Sequence, residues 1–449
     1  MKRWYYPLII LILLVGLFFI FKPKIARMAY EQAVELYDST MFRQAVDKYD
    51  RAIWLDDSKA QYYQGKALAL DSLGEHEKAI QNYDLSIAID STSARSYLYR
   101  AMTYLTMDSM DKALNDLTSA IIHNPRMKEA YYQRGLLYMN RSAYRSAIGD
   151  FTRVISLDDS HADAYFHRGV CFREIGEKKE AVNDYSKALK LGVSSLDVYQ
   201  QRVKALSDIQ NYEQAIRDYT RIIELDGGSR RLYYQRGYLR FLLNNYQEAI
   251  RDFTKVLEYK DDHRDAHYYR AHAYSELNNY KQAVEDFSFV AAQEPDNSKV
   301  WFNLGLARMH LNEYQMARSN LEKATALNDT YDKAYFLLGM ACANMNDQSG
   351  AIRYYSKAID INPSYHQAYY YRGVVKGVQE KHQEAIADFS KAISCDTTYA
   401  MAYYNRGVSE VALNQFDKGC QDFFQALDLG FQPAEKMIET YCKNHSPDE

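Results

Sequence analysis

The sequence predicts an all-α fold, an α-solenoid in which pairs of helices stack into one continuous array. A 34-residue period runs through residues 26–433 without insertion or deletion. One position of the period is Gly or Ala in eleven of twelve copies, and the position twelve residues later is always Ala or Gly. Four residues further on stands a large aromatic or aliphatic side chain in every copy. Such repeats bury a core only against their neighbours, so we expect one array and not several globular domains.

The small and large residues indicate two closely packed helices in each repeat. With residue 26 as position 1, the first small residue is at position 8, the second at position 20 and the large one at position 24. Small residues let two helices approach closely, and a large side chain fills the groove beside them. Position 15, between the helices, favours the left-handed conformation that ends a helix, because in seven copies it is Gly or Asn, namely Gly74, Gly176, Asn244, Asn278, Asn312, Asn346 and Asn414.

This pattern resembles the tetratricopeptide repeat (TPR) family, whose repeats are also 34 residues long. The family's small residues at positions 8 and 20 and its large residue at position 24 are present, and position 4 is Tyr in nine copies. The resemblance covers residues 26–433. It implies antiparallel helix pairs stacked into a right-handed superhelix. Only Pro125, Pro295 and Pro363 match the family's Pro at position 32, so the superhelical pitch is left open.

Arg at position 7 and Asp at position 23 occur together in the same eight repeats. Because the two residue types appear and disappear together, we predict that each Arg pairs with the Asp of its own repeat. The alternative is that these charges bind a ligand. Arg suits a partly buried pair, since its stem packs while its fork binds carboxylate. The predicted pairs are Arg100–Asp116, Arg134–Asp150, Arg168–Asp184, Arg202–Asp218, Arg236–Asp252, Arg270–Asp286, Arg372–Asp388 and Arg406–Asp422.

The amino-terminal segment, residues 1–25, differs from the repeats. Residues 4–21 form an uncharged apolar run of 18 residues, flanked by Lys2, Arg3, Lys22 and Lys24. At about 1.5 Å per residue, a helix of this length is close to the thickness of a bilayer core. No small residues follow the run where a signal peptide would be cleaved. We therefore expect one transmembrane helix that acts as an uncleaved signal anchor.

The carboxy-terminal residues 434–449 are expected to form a capping helix and a tail. Pro433 to Lys443 reads as a thirteenth first helix that packs Met437, Ile438 and Tyr441 on the last repeat. The count of five cysteines is odd and no C-x-x-C motif occurs, so a disulfide framework or zinc site is not expected. We expect buried free thiols at Cys171, Cys342, Cys395 and Cys420, with Cys442 in the cap.

Composition and motifs argue against an enzyme and against a nucleic-acid-binding protein. The repeats leave 25 residues before them and 16 after them, which is too little for a separate catalytic domain. The net charge is −4, with both signs interspersed, whereas phosphate binding needs clustered Lys and Arg. No phosphate-binding loop, dinucleotide fingerprint or nucleophile motif occurs. The densest histidine group in the sequence, His263, His267 and His272, lacks an acidic pattern around it, so we expect no metal site. We also expect no cofactor and no small-molecule substrate.

The TPR resemblance implies that positions 2, 5, 9, 12 and 13 of the first helices line a concave groove. Positions 5 and 9 are mostly aromatic or aliphatic, so the residues of a carboxylate clamp are missing and a peptide with large apolar side chains fits better. The alternative is that position 5 is partly buried against the next first helix. The candidate groove residues are Tyr132, Phe166, Lys204, Tyr234, Tyr238, Tyr268, His272, Phe302, Phe336, Tyr370 and Tyr404.

These features together predict a membrane-anchored, non-catalytic scaffold that binds protein segments in its groove. Two other functions remain open: a self-associating structural array, and an accessory subunit of a membrane enzyme complex. Positive charges flank the apolar run almost equally on both sides, so the orientation is weakly determined. We expect a single-pass membrane protein whose repeats lie outside the cytoplasm, because a short, strongly positive tail is seldom translocated.

Overall fold

The computed structural model describes residues 5–193 and 195–442, without the side chains of residues 5–9, 12 and 18. In the described residues all regular structure is helical, as predicted. The first helix of each repeat occupies positions 1–13 and the second begins at position 17. The chain divides into two compact units, residues 1–222 and 223–449, and the boundary falls inside one helix, α12.

The first unit contains the first twelve helices, the last of which it shares with the second unit. They are α1 Tyr5–Asp38, α2 Phe42–Leu55, α3 Ala60–Ser72, α4 His76–Ile89, α5 Ala94–Thr106, α6 Met110–His123, α7 Lys128–Asn140, α8 Tyr144–Leu157, α9 Ala162–Glu174, α10 Lys178–Lys190, α11 Leu196–Asp208 and α12 Tyr212–Asp226.

The second unit continues the same alternation of first and second helices. Its helices are α13 Arg230–Leu242, α14 Tyr246–Tyr259, α15 Arg264–Glu276, α16 Tyr280–Gln293, α17 Ser298–His310, α18 Tyr314–Leu327, α19 Asp332–Asn344, α20 Gln348–Ile361, α21 His366–Val378, α22 His382–Cys395, α23 Ala400–Ala412, α24 Phe416–Asp428 and α25 Pro433–Tyr441.

Small residues at position 8 meet the large residue at position 24, as the spacing predicts. A Cβ atom added to Gly135 would lie 2.8 Å from the ring of Phe151, and one added to Gly373 would lie 2.8 Å from the ring of Phe389. Real Cβ atoms do not approach other atoms this closely, so the ring fills the space that the missing side chain leaves. The rings of Phe151 and Phe389 are buried, which places them in the core between the paired helices.

The turn inside each repeat has a left-handed residue at position 15 in all twelve copies. Gly74 and Gly176 have φ angles of 78° and 87°, and Asn residues such as Asn278 have φ near 59°. The same conformation is present where the residue is neither Gly nor Asn, for example at Glu380, with φ 60°. The helix pairing therefore imposes this turn even on residues that disfavour it.

All eight predicted Arg–Asp pairs are present, which confirms that prediction. The shortest distance from guanidinium nitrogen to carboxylate oxygen is 2.5–2.8 Å in each pair. The Asp side chains are 3–9 % exposed and the Arg side chains 11–22 % exposed. Each pair joins the two helices of its own repeat, and both side chains are largely shielded from water. This burial favours the structural interpretation over ligand binding.

The first helix, α1, runs unbroken for 34 residues from the apolar segment into the first repeat and contains Pro23. Nowhere in residues 5–193 or 195–442 does a helix combine the length and the apolar character needed to cross a membrane. The predicted transmembrane helix is therefore not supported by the structure. Trp4, where the predicted span begins, lies outside the described residues.

The carboxy-terminal helix α25 packs on the last repeat, with Met437 and Ile438 against the cluster around Phe423. Tyr441 is 40 % exposed and its ring lies 6.5 Å from that of Phe416. Lys443, the last residue of the predicted helix, lies outside the described residues. In the described residues α25 lies where a cap over the end of the core is expected.

The expectation of free thiols throughout is wrong for Cys420 and Cys442, which form a disulfide with Cα atoms 5.6 Å apart. Their pairing was hidden because packing of α25, and not any local motif, brings together residues 22 positions apart. Cys171 and Cys342 are buried free thiols as expected. Cys395 is exposed, contrary to expectation, because position 30 lies at the end of the second helix, where Leu327 is also exposed.

Candidate functional site

The candidate groove residues all lie on first helices, in both units. Tyr132, Phe166 and Lys204 lie on α7, α9 and α11 of the first unit, and the remaining eight lie on α13 to α23 of the second unit. Nine of the eleven are half-buried, Lys204 is exposed and Tyr370 is buried. Within each unit the first helices thus present a surface made largely of partly covered rings, and its use for binding stays a prediction.

The aromatic side chain at position 5 stacks on a ring at the end of its own repeat. Phe302 lies 4.7 Å from Tyr331, and Phe336 lies 5.0 Å from Tyr365, as measured between ring centroids. Phe336 also contacts Tyr371 on the next first helix, at 5.7 Å. These contacts agree with the alternative interpretation of position 5, in which the ring is partly buried against the following repeat. The rings therefore pack the array as well as contribute to its surface.

The first unit repeats the same arrangement with histidine in place of tyrosine. The ring of Tyr132 lies 4.8 Å from His161 and 5.9 Å from His167 on the next first helix. The ring of Phe166 lies 6.0 Å from the core residue Tyr185. Lys204 stands at position 9 of α11 and is exposed, which makes it a polar interruption of an otherwise apolar row.

The sequence-based prediction missed the ring partner at position 34. The signal for this partner lies in the 34-residue spacing. In five repeats position 34 carries the ring against which the position-5 ring packs: His161, His263, Tyr331, Tyr365 and Tyr399. The position lies in the connection between repeats, where loop residues are expected to be polar. Counting aromatic residues in register would have revealed it.

Burial raises the pKa of phenols in the candidate groove. It raises the pKa of Tyr132 to about 12 and raises the pKa of Tyr268 and Tyr370 above the ordinary value. The phenolic group of Tyr370 accepts a hydrogen bond from the amide of Asn405 at 3.1 Å. These groups are therefore neutral at physiological pH and offer hydrogen bonds without charge.

The three histidines grouped in the sequence have separate environments. The ring of His263 stacks on Tyr234 at 4.7 Å. His267 is buried, with its ring nitrogens 2.6 Å from Asp286 and 2.9 Å from Asp261. These contacts tie His267 to the Arg–Asp pair of its repeat, where it supports packing. His272 points into a cavity of its own, so the three do not form one cluster.

A cavity of about 370 Å³ opens between α15 and α17 in the second unit. His272 and Glu276 line it from α15, and Asn303 and His310 line it from α17. The amide nitrogen of Asn303 lies 3.3 Å from Nε2 of His272. Burial lowers the pKa of His272, so its ring is neutral at pH 7. This is a polar recess in a mainly apolar surface.

Several solved structures are similar to this chain over part of its length. MamA is 25 % identical, with 37 % of this chain and 96 % of that chain covered, at a TM-score of 0.35. A tetratricopeptide repeat protein from Parabacteroides merdae is 18 % identical, with 56 % and 99 % covered, at 0.38. The Naa15/Naa10 complex bound to HypK-THB is 12 % identical, with 89 % and 68 % covered, at 0.43. Likenesses at this level say nothing about function.

No curated protein sequence matches this chain. Family models described as tetratricopeptide repeat match residues 30–94, 132–192, 201–263, 240–301, 298–331 and 332–365. These matches together span more than half of the 449 residues and fall in both units. They agree with the helix pairs, the small residues at position 8 and the left-handed turn at position 15 described above. The chain belongs to the tetratricopeptide repeat family.

Proposed function

We propose that this chain is a non-catalytic scaffold that binds extended segments of other proteins along the face that the first helices form within each unit. The observation that carries the proposal is the row of half-buried aromatic and aliphatic side chains at positions 5 and 9 of these helices. A partly exposed apolar surface of this kind gives affinity to large side chains of a peptide, while neighbouring polar groups give register. Because the repeats are all 34 residues long, positions 5 and 9 recur at regular intervals in the sequence.

The test should alter the face without removing a packing ring. Phe302 and Phe336 stack on their own repeats, so replacing them would also cost stability. Val378, the last residue of α21 at position 13, is 66 % exposed and can be changed with little effect on the core. Met316, 55 % exposed on the second helix α18, provides a matched control outside the face.

The experiment is a selection of a displayed random 12-residue peptide library against the full chain. Peptides rich in large apolar residues should be enriched on the unchanged protein and on Met316→Glu, and their binding should fall several-fold on Val378→Glu. Circular dichroism should show equal melting of the two variants. If no peptide family is enriched, or if both variants bind equally well, the face is not a peptide-binding surface.

The proposal extends to location: the array is held at a membrane, on the side outside the cytoplasm. Two features support it. Apolar side chains of the amino-terminal part of α1, such as Ile10, Leu13 and Ile20, are 55–71 % exposed and suit a lipid environment. The Cys420–Cys442 disulfide suits an oxidising compartment. Digestion of the repeats by protease added to intact cells is the expected result, and protection until lysis would contradict it.

Self-association is a second candidate, favoured by two outward residues at position 29 of second helices. Trp54 is 73 % exposed and Ile122 is 68 % exposed, which is unusual for side chains of this size. If they form an interface between copies, light scattering of the full chain in detergent should show an oligomer that Trp54→Arg and Ile122→Arg dissociate. A monomer at micromolar concentration would exclude this function.

A further inference from the structure

We propose that the cavity between α15 and α17 recognises the guanidinium group of an arginine side chain in a bound peptide. The inference rests on the peptide-binding function proposed above and adds the chemistry of one anchoring residue. The cavity, of about 370 Å³, lies at positions 9 and 13 of repeats 8 and 9, within the proposed binding face. It thus has the size and place of a side-chain pocket.

The charge of the cavity favours a cation. Glu276 is the acidic residue among the described residues that line it, and none of those residues is Lys or Arg. The Glu276 side chain is exposed to the cavity and to solvent, and its carboxylate makes no ion pair or hydrogen bond with the residues that the structure describes. His272 is neutral at pH 7 because burial lowers its pKa, so it does not offset the negative charge.

The shape of the cavity favours a flat cation. The rings of Tyr280 and His310 stack at its rim, with centroids 4.2 Å apart and planes within 4° of each other. A guanidinium group is planar and stacks on such faces, whereas the ammonium group of lysine is a compact point charge. Because both basic side chains carry one positive charge, the planar rings at the cavity, and not its charge, favour arginine over lysine.

Two side chains of the cavity, Asn303 and Glu276, offer hydrogen-bond acceptors that suit the N–H donors of arginine. The amide nitrogen of Asn303 is turned towards His272, at 3.3 Å, so the carbonyl oxygen of Asn303 is left to accept. The two carboxylate oxygens of Glu276 can accept a bidentate pair. Leu306 and Phe287 provide apolar walls on which the methylene stem can pack.

The direct test uses two small probes and the full chain. N-acetyl-arginine methylamide carries the guanidinium group, and N-acetyl-citrulline methylamide is its neutral isostere. Calorimetry or ligand-observed NMR should show binding of the arginine probe ~tenfold tighter than that of the citrulline probe. The preference should disappear in Glu276→Gln and remain in Glu285→Gln, which removes an exposed carboxylate from the neighbouring helix α16.

Equal binding of the two probes, or a preference that survives Glu276→Gln, contradicts the proposal that the cavity recognises arginine. Circular dichroism of the variants excludes unfolding as the cause of a loss, because Glu276 is exposed and its replacement leaves the core intact. The peptide selection separates this inference from the function on which it rests. Enriched peptides without a Glu276-dependent arginine preference overturn the pocket alone, whereas a Glu276-dependent preference without any enriched peptide overturns peptide binding alone.

Discussion

Arg168 donates two hydrogen bonds to the carboxylate of Asp184, at 2.7 and 2.8 Å, and thereby joins the two helices of its repeat. A third N–H of the same guanidinium donates to the hydroxyl of Thr152 in the preceding repeat, at 3.0 Å. One side chain therefore links the helices within a repeat and the repeat to its neighbour. The same third contact is made by Arg134, Arg202, Arg270, Arg372 and Arg406, to Thr118, Ser186, Thr254, Ser356 and Ser390.

The first prediction concerns the energy of this pair. Replacing either partner should lower the free energy of unfolding by about 1–3 kcal/mol, because a partly buried charge loses its hydrogen bonds. Arg168→Gln, Asp184→Asn and the double variant form a cycle whose coupling should exceed about 0.5 kcal/mol. Chemical unfolding of the four proteins measures it. The exposed pair Arg251–Glu248, 3.7 Å apart, should show coupling near zero, and an equally small value for Arg168–Asp184 would refute its structural role.

The second prediction tests the helix contact at position 20. Ala249 is fully buried on α14, where the first and second helices of its repeat meet. Leucine at this place would force the helices apart, so Ala249→Leu should destabilise the protein by about 1–3 kcal/mol through overpacking. A thermal melt followed by circular dichroism measures the loss. If the midpoint does not move, position 20 is not a close helix contact.

The third prediction uses the left-handed turn residue Glu380. Its φ of 60° is a conformation that glycine and asparagine adopt more readily than glutamate does. Glu380→Asn should therefore stabilise the protein by about 0.5–1 kcal/mol. The reciprocal change Asn346→Glu, at the same position one repeat earlier, should destabilise it by a similar amount. Opposite shifts of the melting temperature are expected, and shifts of the same sign would contradict the explanation.

The fourth prediction is a pH dependence caused by Glu410. Its side chain is buried on α23, and Oε2 has no hydrogen-bond partner among the described residues. Burial, together with the charge of Asp422, raises the pKa of Glu410 to about 7, while Arg406 and Lys418 oppose the shift. The folded protein therefore holds this proton more tightly than the unfolded chain does. Its stabilising effect is complete below the ordinary pKa near 4.5 and is lost as pH rises to about 7.

Glu410→Gln should remove that loss and stabilise the protein by about 1–2 kcal/mol at pH 8, with little effect at pH 4.5. Thermal melts across this pH range test the expectation. Glu439→Gln, which changes an exposed carboxylate on α25, should leave the pH profile unaltered. If Glu410→Gln is destabilising at pH 8, the carboxylate is paired and the explanation is wrong.

Some repeats that lack Arg at position 7 join their two helices through other side chains, which the Arg–Asp pattern does not predict. In repeat 9 that position is Leu304, and Arg308, one turn later, donates to the side-chain oxygen of Asn320 at 2.8 Å. In repeat 1 the polarity is reversed, because Lys48 at position 23 donates to Gln32 at position 7, at 2.9 Å. In these two repeats a side-chain contact between the helices is kept although its residues change. A pattern search for identical residues finds the eight regular pairs and misses these substitutes.

The sequence by itself determined the helix pairs, their turns and the eight Arg–Asp pairs, because each depends on contacts inside one 34-residue unit that recurs in register. The tertiary structure decided the Cys420–Cys442 disulfide, the contact of Phe336 with Tyr371 in the next repeat and the cavity around His272. These depend on how one element lies on the next. Packing between repeats sets those distances, and no local spacing in the chain encodes them.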